Sequence, residues 1–282
     1  MQSPLETTGT GFALGIRRVK THLSAALTNC QQLRAHGYRS AIGFWHRIQR
    51  DSNEVAAEYL ASISALARTT LDCYLSIKPL GLAFRRDLLL EIVQRARRTG
   101  QRVHFDSPTE ELSEITFSTV EEMAGMYSRV GCTLPGRWRR SLGDAQWAVA
   151  RGLAVRVVKG QWADPNDPAR DATEGFLALI DRLAGRARHV AVATHDASLM
   201  REAVARLRAA GTPCEVELLL NDQWDPWARH TARQLGVPVR GYVPYGDGTL
   251  LYHWHPPLMR PAHATPASWP PLSLLSGAPA HG

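Results

Sequence analysis

The sequence predicts a (β/α)8 TIM barrel with a degenerate, proline-rich eighth helix. Eight short apolar segments alternate with helical segments, and each strand-plus-helix unit takes about 30 residues, as in barrels of this class. A chain of 282 residues is long enough to form one such barrel. No glycine-rich fingerprint follows the first strand, which argues against a doubly wound dinucleotide-binding sheet.

The predicted strands are runs of β-branched, aliphatic and aromatic residues that end at polar or turn-forming residues. They cover 39–46, 72–79, 102–107, 131–135, 154–160, 189–195, 214–221 and 238–245. Longer amphipathic segments between them predict helices over 53–69, 84–99, 117–129, 141–151, 171–186, 196–210 and 225–235. A leading helix is predicted over 20–36. Several helices end at glycine, the residue that best adopts the left-handed conformation of a helix end: Gly37, Gly100, Gly152, Gly211 and Gly236.

The chain beyond the eighth strand contains closely spaced prolines: Pro256, Pro257, Pro261, Pro266, Pro270 and Pro271. Proline cannot continue a helix interior, so a normal eighth helix is not expected. We therefore expect a leading segment over 1–38, a barrel over 39–252 and a proline-rich tail over 253–282.

Composition limits the functional classes. The net charge of +7 comes from arginines scattered along predicted helices, a pattern more typical of a solvated surface than of a nucleic-acid-binding patch. The four cysteines form no CxxC pair, which favours free thiols in a reducing, cytoplasmic setting. No apolar run reaches the ~18 residues that a transmembrane helix needs.

Lysine is rare in this chain, and its positions draw attention to a site. Only three lysines occur beside 30 arginines, and two of them, Lys78 and Lys159, end apolar strand-like runs. Lysine carries a compact charge that fits a narrow site and whose pKa is readily tuned. The alternative is that both simply extend from strand ends into solvent.

Chemistry in a TIM barrel lies at the carboxyl ends of the strands. Polar candidates at these ends are Arg47, Lys78, Asp106, Arg156, Lys159, Thr194, His195, Glu217, Asn221 and Tyr242. The cations among them predict an anionic ligand or a phosphate-bearing cofactor. Arg156 and Lys159 are three residues apart and would face opposite sides of a regular strand, so a bulge or an early strand end is needed to bring both to one site.

The order of the motifs SIKP, HFDS, RVVKGQW, ATHD, EVELLL and RGYVPYG resembles the proline dehydrogenase family. The resemblance covers about residues 20 to 250, and VRVVKG, ATHD and GYVPYG are its most specific parts. It implies a barrel that binds FAD at the strand ends and oxidises a proline-like amine to an imine by hydride transfer to the flavin. The electron acceptor, whether a quinone, oxygen or a protein, stays open.

The resemblance also implies roles for individual residues. Catalytic roles fall to Lys78, Asp106 and Tyr242. Cofactor contacts fall to Arg156, Val158, Lys159, Gly160, Trp162, Thr194, His195 and Glu217. Substrate contacts fall to Arg47, Leu219 and His255, and no metal is expected.

The sequence departs from the family pattern at particular roles. The paired arginines that bind the substrate carboxylate in the family's eighth helix are replaced by YHWHPP. A family glutamine on strand four becomes Pro135, and Glu217 stands where glutamine is usual. We expect Arg47, His255 or Arg260 to bind the carboxylate from a new direction, or the substrate to carry a modified carboxyl group.

Two other functions remain open at this level. The HWH motif at 253–255, with His46, Asp106 and His195, is compatible with a metal-dependent hydrolase. The missing arginine pair and Pro135 are compatible with a catalytically inactive barrel that serves as a binding or scaffold protein.

Overall fold

The computed structural model describes residues 21–46, 50–220 and 226–247. Within these ranges eight parallel strands form a closed barrel in sequence order, and β8 pairs with β1 to complete it. The predicted (β/α)8 barrel is confirmed, while the degenerate eighth helix predicted after β8 lies outside the described residues.

The strands and helices lie close to their predicted positions. The strands are β1 (Arg39–Trp45), β2 (Cys73–Ile77), β3 (Arg102–Phe105), β4 (Val130–Pro135), β5 (Ala154–Val158), β6 (His189–Ala193), β7 (Cys214–Leu219) and β8 (Val239–Gly246). The helices are α1 (Leu23–Ala35), α2 (Ser52–Leu66), α3 (Arg86–Thr99), α4 (Ser113–Met126), α5 (Ser141–Ala150), α6 (Ala172–Leu183), α7 (Ala197–Ala209) and α8 (Pro226–Gln234).

Six strands end one or two residues earlier than the sequence predicts, and three of them, β2, β5 and β6, end for a clear local reason. After β2, Pro79 begins a short 3-10 helix. After β5, Gly160 has a φ of +89°, which extended strand residues do not adopt. After β6, Asp196 caps α7 by accepting hydrogen bonds from two backbone amides of its first turn. Lys78, Lys159 and His195 therefore follow their strands rather than belonging to them.

The leading helix α1 covers the seam between β8 and β1. It buries Ala26, Cys30 and Leu33 in the main core. Leu33 packs so closely on β8 that a Cβ at Gly241 would lie 2.7 Å from Leu33 Cδ1. Residues 1–20 and 248–282 lie outside the described ranges, so the division into leading segment, barrel and tail stays a prediction.

The two faces of the barrel wall differ in chemistry. The face toward the helices carries aliphatic residues of the main core, such as Leu75 and Val157. A separate cluster of Ala41, Trp45, Tyr74 and Tyr242 lies inside the barrel. Buried polar residues accompany the interior cluster: Ser76, His104, Thr133, Arg156, Glu215, Glu217 and Arg240. Stability therefore comes largely from the outer layer, and the interior carries polar side chains.

No helix within the described ranges is both long and apolar enough to cross a lipid bilayer.

Candidate active site

Three predicted catalytic residues come together at the carboxyl-end mouth of the barrel. Lys78 Nζ donates to Asp106 Oδ2 at 2.7 Å and to Tyr242 Oη at 3.1 Å. These side chains come from the ends of β2 and β3 and from β8, so barrel closure is what brings Tyr242 to the pair. The structure shows their contact; their catalytic roles stay predictions.

Arg156 extends from β5 into the barrel interior and is held by two carboxylates. Its Nη1 donates to Asp106 Oδ1 at 2.6 Å. Its Nε lies 2.9 Å from Glu217 Oε1, an ionic contact that lacks hydrogen-bond alignment. Its Nη2 donates to Tyr74 Oη at 2.8 Å, and Tyr74 in turn donates to Glu217. The side chain is almost fully buried, at 6% exposure.

The two carboxyl groups of this network have opposite pKa shifts. Burial disfavours the charge on Asp106, but Lys78 and Arg156 outweigh it and hold the pKa of Asp106 well below its ordinary value. Ser76 Oγ also donates to Asp106 Oδ1 at 2.7 Å. Burial raises the pKa of Glu217 above its ordinary value, and the positive charge of Arg156 offsets only part of this effect.

The Lys78 ammonium is stabilised rather than weakened by its surroundings. Burial lowers its pKa most of any single cause, but Asp106, Tyr242 and Tyr59 together raise it more, so the pKa of Lys78 lies above the ordinary lysine value. Its Nζ also lies 5.6 Å from the ring centroid of Trp45 and 5.8 Å from that of Tyr242. Lys78 is thus a hydrogen-bond donor and a fixed cation at neutral pH.

Glycine is required opposite Tyr242. A Cβ at Gly43 on β1 would lie 1.8 Å from Tyr242 Oη. Trp45, two residues further along β1, donates from Nε1 to the same oxygen at 3.2 Å. Gly43 and Trp45 therefore set the position of the Tyr242 hydroxyl, and Lys78 donates to it from the other side.

Most of the predicted cofactor residues, together with the predicted substrate contact Leu219, form a half-buried rim at the adjoining ends of β5, β6 and β7. Its members are Val158, Lys159, Gly160, Trp162, His195 and Leu219, with Thr194 buried beneath them. Lys159 Nζ lies 3.1 Å from Asp196 Oδ2. His195 Nε2 accepts a hydrogen bond from the backbone amide of Leu219 at 3.1 Å, which ties the end of β6 to the end of β7.

The spacing problem between Arg156 and Lys159 is resolved by the early end of β5. Because the strand ends at Val158, Lys159 leaves the strand direction and reaches the rim, while Arg156 points inward. The two cations have different partners, Asp106 and Glu217 for Arg156 and Asp196 for Lys159. Both cations therefore lie toward the carboxyl end of the barrel, with Arg156 buried in the interior and Lys159 partly exposed at the rim.

The end of β4 lies next to Lys159 and Gly160 and adds Arg137 to this part of the barrel. Pro135 is buried at the last position of β4, and the following Arg137 donates its backbone amide to Lys159 O at 3.1 Å. The Nε atom of Arg137 is buried without a hydrogen-bond partner among the described residues. Sequence reasoning missed Arg137 as a site residue.

Some predictions fall outside the described residues. These are the substrate contacts proposed for Arg47 and His255, the alternative Arg260, Asn221, and the HWH motif at 253–255. Among the described residues, no group of three or more His, Cys, Asp or Glu side chains is arranged to hold a metal ion.

Sequence reasoning also missed Tyr74 and Ser76, which contact Arg156 and Asp106 inside the barrel. A signal for both exists in the sequence. Side chains alternate between the two faces of a strand, so the residues two and four positions before an inward-facing Lys78 also face inward.

Curated relatives match this site-bearing region of the chain. The chain is 25% identical over 274 residues to Proline dehydrogenase 1 of Bacillus subtilis subsp. natto, a match that covers 90% of this chain and 89% of that protein. Proline dehydrogenase 1 of Bacillus subtilis strain 168 matches with the same identity and coverage. Both relatives confirm the resemblance to the proline dehydrogenase family that the motif order predicts. No family model matches the sequence.

Solved structures agree with the family at the level of the fold. Proline utilization A from Bdellovibrio bacteriovorus, inactivated by N-propargylglycine, superposes with a TM-score of 0.67 at 14% identity and covers 81% of this chain. Proline utilization A from Corynebacterium freiburgense gives a TM-score of 0.65 at 16% identity and covers 80% of this chain. The chain spans only 30% and 28% of those two longer chains.

Proposed function

We propose that this protein oxidises a proline-like secondary amine to an imine, with FAD bound at the carboxyl-end mouth of the barrel. The observation that carries this proposal is the contact of Lys78 with Asp106 and Tyr242 beside the half-buried rim, in a chain whose curated relatives are named proline dehydrogenases. Packing alone does not require an ion pair with a phenol at the open end of a barrel.

The residues at this mouth fit FAD, a cofactor that carries phosphates. Lys159 and Arg137 place cationic groups at the rim, and the buried Nε of Arg137 has hydrogen-bonding capacity left over. At Gly160, which is half-buried at the rim, the positive φ and the Cβ of Pro135, 2.8 Å from where a Gly160 Cβ would lie, both exclude a side chain. FAD, when bound, accepts the hydride from the amine.

The remaining cofactor contacts are proposed from the rim and the layer beneath it. Val158, Trp162, Thr194 and His195 would line the site beside Lys159 and Gly160. Arg156 and Glu217 would lie below it, with Leu219 toward the substrate. A cation held at this position stabilises negative charge that develops on a reduced ring system.

Neither charged catalytic candidate is suited to remove a proton from the amine. Asp106 has a depressed pKa and is a weak base, and Lys78 has an elevated pKa and stays protonated. The amine nitrogen needs a free lone pair for hydride loss, and burial of the substrate favours its neutral form. We therefore propose that Lys78 acts as a hydrogen-bond donor and a positive charge in the site. Asp106 holds Lys78 in place, and Tyr242 packs beside the reacting ring of the substrate.

The substrate class follows from the departures from the family pattern. Without the arginine pair, a free carboxylate would depend on Arg47, His255 or Arg260. We propose that proline-like compounds with an ester, amide or peptide-linked carboxyl group are also substrates, because they need no such ion pair. The electron acceptor is to be found among quinones, oxygen and protein partners.

One observation favours a second candidate, a catalytically inactive binding or scaffold barrel. Arg156 is already paired with Asp106 and Glu217, and Lys78 with Asp106, so the interior charges balance without a ligand. Under this alternative the network serves to specify the fold.

Flavin content separates the two candidates. The purified protein should be yellow, and anaerobic addition of substrate should bleach the flavin absorbance. Proline, hydroxyproline, proline esters and peptide-linked proline are the compounds to compare. Arg156→Ala and Lys159→Ala should each lower flavin content or slow flavin reduction, whereas Arg186→Gln, an exposed control far from the rim, should change neither. A colourless protein that does not take up added FAD would sink the proposal.

We also propose a cytoplasmic location. All four cysteines are described as free thiols, and Cys30, Cys73 and Cys132 are buried. Free thiols are usual in a reducing compartment.

A further inference from the structure

A pocket lies at the amino-terminal end of the barrel, opposite the mouth that carries Lys78 and Lys159. Its volume is about 230 Å³. It exists because small residues line it at the starts of β4 and β5 and on β6: Gly131, Ala154 and Ala191. Tyr74 and His104 also line it, from inside the barrel. The interior of a TIM barrel is normally filled by packed side chains, so an open pocket at this end is unusual. Much of its lining is apolar, and charged side chains also border it.

The charges around this pocket are predominantly positive. Its charged lining residues include three arginines, Arg102, Arg129 and Arg188, and a single carboxylate, Glu215. Glu215 is already neutralised by two other cations, since Arg240 contacts it at 2.7 and 3.0 Å and Arg39 at 3.1 Å. The pocket therefore retains a surplus of positive charge.

Arg129 and Arg188 donate hydrogen bonds to neutral carbonyl oxygens, so their positive charges are not cancelled. Arg188 Nη1 donates to the carbonyl oxygen of Ser128 at 3.0 Å, and Arg129 Nη1 to that of Gly100 at 2.5 Å. Neither has a carboxylate within ion-pair distance in the described part of the chain. A carbonyl acceptor fixes the direction of a guanidinium group without cancelling its charge.

The third arginine lies closest to the barrel interior. Arg102 pairs with Asp72, and its guanidinium carbon lies 5.7 Å from the centroid of the Tyr74 ring. Burial and the neighbouring positive charge of Arg240 lower the pKa of Arg102 below the ordinary arginine value. An anion in the pocket would relieve this like-charge repulsion.

We propose that the amino-terminal pocket binds a small oxyanion through Arg102, Arg129 and Arg188. A volume of about 230 Å³ corresponds to roughly eight water molecules, which suits a phosphate group or a small dicarboxylate rather than a nucleotide. Planar guanidinium groups are the side chains best matched to both kinds of oxyanion. This site is separate from the proposed flavin site and does not depend on it.

Titration calorimetry at constant ionic strength tests the proposal. Inorganic phosphate and malonate are the two probes, with chloride as the balancing anion, and comparison of the two shows which oxyanion geometry is preferred. Arg129→Gln and Arg188→Gln should each weaken binding about tenfold or more, the loss expected for one charge-assisted hydrogen bond. Ala154→Leu, which fills the pocket without changing charge, should also weaken binding.

Arg186→Gln is the matched control. Arg186 lies two residues from Arg188, is exposed, donates to the carbonyl oxygens of Asp181 and Arg182, and does not line the pocket. The Arg186→Gln substitution removes the same charge as Arg188→Gln and should leave the affinity for phosphate and malonate unchanged. Absence of phosphate and malonate binding at millimolar concentration overturns the proposal. Equal weakening in the control and in the pocket variants overturns it as well, because it would indicate a non-specific effect of net charge.

Discussion

Lys78 and Tyr242 are joined by a 3.1 Å hydrogen bond across the mouth of the barrel, although 164 residues separate them in the chain. The contact exists because β8 closes the barrel against β1, next to β2. Trp45 Nε1 reaches the same phenol oxygen from β1 at 3.2 Å. The first and last strands thus position one hydroxyl beside the Lys78 ammonium.

Gly43→Ala should displace Tyr242, because the new Cβ would lie 1.8 Å from the phenol oxygen. Overpacking of this kind typically costs about 1–3 kcal/mol of unfolding free energy. Urea denaturation measures the loss, and the hydrogen bonds from Lys78 and Trp45 should be lost with it. Gly143→Ala in α5 is the control, since nothing lies near its Cβ position, and it should stabilise by about 0.5–1 kcal/mol. Equal effects of the two substitutions would contradict the packing described for Tyr242.

Asp106→Asn should destabilise the protein at neutral pH by about 3–5 kcal/mol, because it leaves Lys78 without its carboxylate and Arg156 with one carboxylate instead of two. The pKa of Asp106 is depressed in the folded state, so its stabilising contribution is present above the ordinary value of about 3.9 and is lost as pH falls further. The difference in unfolding free energy between wild type and variant should therefore shrink in acid. A difference independent of pH would be evidence against an ionised Asp106.

Glu217→Gln should have the opposite pH signature. The folded state holds the Glu217 proton to a higher pH than the unfolded state does, so wild-type stability falls as pH rises from about 4.3 to the raised pKa. The variant has no carboxyl group at this position. Its unfolding free energy should therefore rise relative to that of the wild type between about pH 4.3 and the raised pKa, by about 1.4 kcal/mol for each pKa unit of the shift. Denaturation curves at acid and neutral pH measure the gain, and an equal stability difference between wild type and variant at the two pH values would contradict the raised pKa of Glu217.

Arg240→Met should open the amino-terminal end of the barrel. Arg240 is fully buried and contacts Glu215, the carbonyl oxygen of Ser40 at 2.5 Å and that of Asp72 at 3.0 Å, which links β8 to β7, β1 and the start of β2. Its loss should cost about 3–5 kcal/mol of unfolding free energy.

The control for this substitution is Arg39→Gln. Arg39 also contacts Glu215, but its side chain is 38% exposed, so its removal should cost less than about 1 kcal/mol. A cost for Arg240→Met no larger than that of the control would show that the buried network does not hold the strands together.

Lys78→Met should reduce turnover far more than flavin content. Lys78 contacts Asp106 and Tyr242 rather than the rim formed by Lys159 and its neighbours. Flavin absorbance and the rate of anaerobic bleaching, measured on the same sample, separate the two effects. If flavin is lost in proportion to activity, Lys78 belongs to the cofactor site instead.

Many of the residues of the candidate site could be predicted from the sequence, because they lie where predicted strands end. A β-branched run that stops at Lys78 or Lys159 identifies a strand and its end together, and in a parallel barrel all such ends share one mouth. Alternation along β2 would also have identified Tyr74 and Ser76. The role of Gly43 was not predictable, because its requirement comes from Tyr242 on another strand.

The sequence by itself determined the eight-strand order, the approximate element boundaries, the resemblance to the proline dehydrogenase family and the set of polar groups at one mouth, because periodicity and motif order are properties of the chain. Only the tertiary structure decided which charges pair. It turned Arg156 inward to Asp106 and Glu217 and left Lys159 at the rim with Asp196. It also collected the arginines of the amino-terminal pocket. These pairings depend on lateral distances between strands, which barrel closure sets and local sequence patterns do not encode.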